Sequence, residues 1–85
     1  MKKILLIEDD SNYIWHIKNF LQRKGYHVLV AFTVSQGKEL IEKEQILIIG
    51  SDLKLSDGSG MELLEYLREK TYKIPFLFFT CYDKK

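Results

Sequence analysis

Four short, nearly continuous apolar runs punctuate this chain, Lys3–Ile7, His27–Phe32, Ile46–Ile49 and Ile74–Phe79, and between them the apolar period lengthens to that of a helix. Runs of this kind, with little alternation, fit strands covered on both faces. Ile14, Ile17 and Leu21, flanked by Tyr13 and Phe20, predict an amphipathic helix from about Asn12 to Lys24. Asp10 or Ser11 can cap its start, and Gly25 follows its end. Ser35 is expected to cap a second helix, Gln36 to about Lys43, with Leu40 and Ile41 inward and Gly37 weakening it. Leu63, Leu64 and Leu67 share one face of a third helix, Met61 to about Lys70, led in by the turn residues Asp57–Gly60. Pro75 opens the fourth strand, a position where its missing N–H is tolerated. The order βαβαβαβ implies a parallel sheet with right-handed crossovers and helices on both faces. One domain is expected across residues 1–85.

Composition narrows the partners. The 85 residues are 46% hydrophobic and 29% charged, as in a folded domain, and the net charge of +1 with Lys and Glu interspersed predicts no nucleic-acid or membrane contact by this segment. The lone Cys81 excludes an intrachain disulfide and a cysteine-built zinc site. Ile4–Ile7 is too short for the core of a secretory signal and runs straight into three acids, and no apolar run is long enough to span a bilayer. A cytoplasmic location is expected.

Polar groups stand at three strand ends: Glu8, Asp9 and Asp10 after the first, Asp52 after the third, Thr80 after the fourth. In an open parallel sheet the functional crevice lies beyond the carboxyl ends of the strands, so these groups can converge. Carboxylates and a hydroxyl in one crevice suit metal-assisted phosphoryl chemistry. A carboxylate can attack phosphorus, but both are anionic, and Mg²⁺, which takes one or two carboxylates plus water and phosphate, relieves the repulsion. The plainer reading is that acids ahead of the first helix cap it, and Asp10 is assigned that role alone.

The run Asp52-Leu53-Lys54-Leu55-Ser56-Asp57-Gly58-Ser59-Gly60 after an apolar strand, with Glu8-Asp9 after the first and Phe-Phe-Thr ending the fourth, closely resembles the receiver domain of two-component response regulators. The likeness spans the whole chain. It implies a flavodoxin-like (CheY-like) three-layer α/β sandwich with strand order 2-1-3-4. By the same resemblance, Asp52 matches the phosphoacceptor and Asp9, with Glu8, the Mg²⁺-binding acids. Lys54 matches the position that offers a backbone carbonyl to the metal, and Thr80 the switch hydroxyl that contacts the phosphoryl group. The partners implied are a sensor histidine kinase or a phosphotransfer protein, and the domain would be a phosphoacceptor in its own phosphotransfer, not a turnover enzyme.

The family pattern continues through a fifth strand, which ends in an active-site lysine, and two further helices. None is present here, and Lys84 and Lys85 do not match that lysine. A receiver truncated after its fourth strand and without an output domain is therefore expected. It would bare that strand's edge and favour a homo-oligomer through the edge or by exchange of elements. DNA contact would need the absent output domain. Gly50-Ser51 and Ser56 also depart from the family pattern and are expected to loosen the strand end and the loop. The alternative function is a receiver that takes no phosphate and acts only by protein interaction or self-association. A phosphatase on a similar sheet would call for an acid at position 54, which is Lys, and a flavodoxin-type cofactor site for a phosphate loop after the first strand, which is lacking.

Overall fold

In the computed structural model, which describes residues 2–79, nine elements follow one another. They are β1 (Lys3–Ile7), α1 (Ser11–Arg23), β2 (Val28–Ala31), α2 (Val34–Lys43), β3 (Ile46–Asp52), β4 (Lys54–Leu55), β5 (Gly58–Ser59), α3 (Gly60–Glu69) and β6 (Phe76–Phe79). The main sheet has the order β2-β1-β3-β6, all parallel. This is the 2-1-3-4 arrangement, because β4 and β5 form a small antiparallel hairpin of their own. It is an α/β, flavodoxin-like layering.

Strand β1 shows why its apolar run lacks alternation. Leu5 and Ile7 lie in a core cluster with Val34, Ile41, Leu63 and Leu67 of α2 and α3, while Ile4 and Leu6 pack with Ile14 of α1 on the other face. Both faces of the strand are dry beyond Lys3, so Ile4–Ile7 are all apolar. Gly37 owes its place to this packing: a Cβ there would sit 3.0 Å from Ile7 Cδ1. Tyr66 of α3 donates its hydroxyl to Glu42 of α2, and that bond is the main reason its phenol is pushed up to about 12. No helix among the described residues is long and apolar enough to cross a membrane.

Several sequence expectations need correction. Ser35 does not cap α2. Thr33 is the N-cap, its hydroxyl accepting from the Gln36 N–H at 3.0 Å, and the helix begins one residue before Ser35. Gly50 and Ser51 do not loosen the end of β3. That strand is paired on both sides through Ser51 and reaches Asp52, with Gly50 opposite Leu6 and Leu77. A central parallel strand is held by two ladders, and this outweighs the low strand propensity of one glycine. Ser56 lies in the turn of a paired hairpin rather than a loose loop. For α1 the choice between Asp10 and Ser11 resolves to Asp10, which accepts from the Asn12 and Tyr13 N–H groups at 3.1 and 3.2 Å.

Helices α1 and α3 end in the same way. At α1 the Gly25 N–H bonds Gln22 O and the Tyr26 N–H bonds Leu21 O; at α3 the Thr71 N–H bonds Arg68 O and the Tyr72 N–H bonds Leu67 O. Both are Schellman caps, whose pivot residue must take positive φ. Gly25 does so at φ 95°, and Thr71, β-branched, does so at φ 60°. A left-handed conformation costs a non-glycine residue roughly 1–2 kcal/mol. Thr71→Gly is therefore expected to raise unfolding stability by about 1 kcal/mol, read from the urea midpoint at unchanged slope. A lower midpoint would show that the Thr71 side chain outweighs its backbone cost.

Candidate functional site

Parallel register builds the site. Ile7 lies opposite Ser51 across β1 and β3, so the residues that follow, Glu8 and Asp52, emerge side by side at the carboxyl edge of the sheet. Each of Glu8, Asp9 and Asp52 offers a carboxylate oxygen such that all three atoms lie within 4.8 Å of one another. Glu8 is fully buried, Asp52 is only 5% exposed, and Asp9 faces solvent. Asp10 stays outside this group and caps α1.

Local hydrogen bonds fix the acids. The Glu8 N–H extends the β1–β2 ladder by donating to Ala31 O at 3.0 Å, and the Glu8 carboxylate accepts from the Asp10 N–H at 3.1 Å. Lys54, exposed on β4, directs its N–H toward Asp52 Oδ1 at 3.5 Å, the outer limit of a hydrogen bond. Three hard oxygen donors around one small space, one of them open to solvent, are the donor chemistry of Mg²⁺ with retained waters. Thr80, the fourth expected site residue, lies outside the described residues.

Two features were not read from the sequence. Gly60 reads in sequence as turn chemistry, yet a Cβ there would lie 2.5 Å from Asp52 O, 2.8 Å from the Phe78 ring and 2.9 Å from Ser51 Oγ. The start of α3 therefore touches the backbone at the end of β3, and the Gly60 N–H donates to Leu53 O at 3.0 Å. The second feature is Asp57, whose carboxylate reaches back to α2: Oδ1 accepts from the Val34 N–H at 2.7 Å and Oδ2 from the Ser35 N–H at 3.1 Å. The Val34 bond is the largest cause holding the Asp57 carboxyl below its ordinary pKa. A Gly-x-Gly turn signals the first only in part, and a contact 22 or 23 residues distant leaves no periodic trace.

The profile of the family described as "Response regulator receiver domain" matches residues 4–85. The chain belongs to this family. Its general function is phosphorylation on an aspartate in two-component systems, in which receiver domains interact with histidine kinases or phosphotransfer proteins and bind Mg²⁺ at an acidic pocket.

Among relatives of this receiver domain, the photosynthetic apparatus regulatory protein RegA of Rhodobacter capsulatus is 30% identical over 81 residues, covering 95% of this chain and 44% of RegA. The chain thus spans less than half the length of that relative. The non-phosphorylated HemR receiver domain from Leptospira biflexa superposes with a TM-score of 0.87 at 33% identity, over 100% of this chain and 68% of that one. A Burkholderia pseudomallei response regulator, solved with a phosphorylated aspartic acid, calcium ion and citrate, gives 0.86 at 27% identity, over 99% and 49%.

Adding a methyl group at Gly60 must displace the Asp52 carbonyl or the α3 start. Gly60→Ala is expected to lower stability by about 1–3 kcal/mol, the usual cost of overpacking a filled site, measured by urea denaturation. A loss under about 0.5 kcal/mol would show that the strand end yields.

Proposed function

We propose that Asp52 is the phosphoacceptor of this receiver domain and that Glu8, Asp9 and the Lys54 carbonyl complete its Mg²⁺ site. The observation that carries the reading is the convergence of the Glu8, Asp9 and Asp52 oxygens within 4.8 Å at the carboxyl edge of the sheet. The phosphorylated aspartate of the Burkholderia pseudomallei relative supports it by likeness. In the reaction an Asp52 carboxylate oxygen attacks the phosphorus of a phosphohistidine donor. The O–P bond forms as the N–P bond breaks, and the electron pair leaves with the imidazole, which takes up a proton. Bound Mg²⁺ supplies neutralisation of the anionic oxygens of nucleophile and phosphoryl group.

Residues of this chain do the rest. Asp9, exposed, can exchange ligands with solvent, whereas buried Glu8 fixes the inner wall and bonds the Asp10 N–H. Burial of Asp52 limits the water that can reach an acyl phosphate. Thr80 is assigned the hydroxyl that donates to the new phosphoryl oxygens, which add about −1.5 to −2 charge. The domain serves as a substrate of its own phosphotransfer rather than as a turnover enzyme. DNA regulation, where a longer regulator performs it, falls to other segments.

A second property is favoured by the surface of β6. Among the described residues β6 is an edge of the sheet, and Leu77 is 60% exposed, with Phe78 and Leu47 also exposed. On the α1 face a groove of 490 Å³ is lined by Leu47, Ile48, Pro75 and Leu77, among others. The occupant assigned is a second copy of this chain, because an apolar strand edge continues its ladder with a like edge. Self-association by this route is the reading that survives if Asp52 takes no phosphate.

Incubation with Mg²⁺ and acetyl phosphate, followed by intact mass, is expected to add one phosphoryl group to the parent and none to Asp52→Asn. Addition to both would move the acceptor elsewhere, and addition to neither, in folded protein, would leave the interaction reading. Sedimentation velocity is expected to show a concentration-dependent dimer that Leu77→Lys abolishes. A dimer that persists in this variant would indicate exchange of elements, and a monomeric parent would remove the edge proposal.

A further inference from the structure

Helix α2 raises an accounting question at its start. The first free N–H groups of a helix have no partner within it. Here the Gln36 N–H is met by Thr33 Oγ1, the Gly37 N–H by Thr33 O, and Gln36 Oε1 in return accepts from the Phe32 N–H at 2.8 Å. A local cap by Thr33 is thus already in place, with Gln36 reaching back to the residue before it. Two further donors of the first turn, Val34 and Ser35, are both taken by Asp57, from the turn of the β4–β5 hairpin.

That hairpin leaves β3 directly after Asp52 and carries Lys54. Its base is tied by the Gly60 N–H to Leu53 O and its middle by Leu55, buried in the α2 and α3 core. Its tip, Ser56 and Asp57, is exposed. A two-residue ladder does not hold such a tip unaided. We infer that Asp57 is a positioning residue: by clamping the hairpin tip to the start of α2, it fixes the segment that presents the Lys54 carbonyl beside Asp52. The inference rests on the metal reading proposed above. Its logic is that of outer groups around a metal, which orient the ligands without touching the ion and whose loss weakens binding.

The rival role for Asp57 is that of a mere helix cap, and Thr33→Ala supplies the control because it removes a cap of the same helix without touching the hairpin. Mg²⁺ affinity is measured by calorimetric titration, and amide exchange at Gly60 is measured beside it at matched global stability. Asp57→Ala is expected to weaken Mg²⁺ binding by about tenfold or more and to speed exchange at Gly60, with Thr33→Ala leaving both near parent values. Asp57→Asn, which keeps a carbonyl acceptor, is expected to fall between and covers the case in which the alanine variant does not fold. Equal Mg²⁺ affinity in parent and Asp57 variants overturns the inference, as does an equal effect of Thr33→Ala. If the parent itself binds no Mg²⁺, the metal reading fails and the exchange of Gly60 alone decides: acceleration confined to the Asp57 variants upholds the clamp, and unchanged exchange removes it.

Discussion

Carboxylates brought together are the constraint on which this structure turns. Three of them have oxygens within 4.8 Å of one another, and they repel wherever more than one is ionised. Flexible loops would relax that repulsion by moving apart. Here Glu8 directly follows β1 and Asp52 ends β3, neighbouring strands whose register is locked by a ladder, so the sheet holds them against it. The pairing of β1 with β3 and the burial of β1 on both faces are what let such a cluster persist.

Around that cluster the chain uses close backbone approach rather than bulk. Gly60 lets α3 begin in contact with the Asp52 carbonyl, and Gly37 lets α2 lie against Ile7. A methyl group has no room at Gly60, and at Gly37 the Ile7 side chain would have to give; both bring a helix onto the strand ends near the acids. Asp57 adds a polar tie across the same edge. The acidic site is thereby bordered by contacts that are short in space and long in sequence.

The sequence made the main frame legible because periodicity is local. The apolar run of β1, the 3.6-residue spacing of Ile14, Ile17 and Leu21, and the order of elements all translate directly into the observed sheet and its helices. The joint spacing of Glu8-Asp9 and Asp52 then pointed to the family. The misreadings lie where long-range contacts override local preference. Ser35 has the right chemistry for a cap, but its N–H is already engaged by Asp57, and Thr33 takes the position. Gly50 and Ser51 are poor strand formers in isolation, yet two flanking strands hold them. The hairpin was legible as a turn but not as a clamp, since nothing in a stretch of nine residues says what its tip will touch.

The β1–β3 register also bears on how the protein comes into being on the ribosome. Glu8 is made early and Asp52 forty-four residues later, and the strands that place them pair across two intervening helices and a strand. Loop-closure entropy must be met before such distant partners reward it. The cluster of acids therefore cannot form until Asp52 has been made, and its assembly waits on the long-range pairing of β1 with β3.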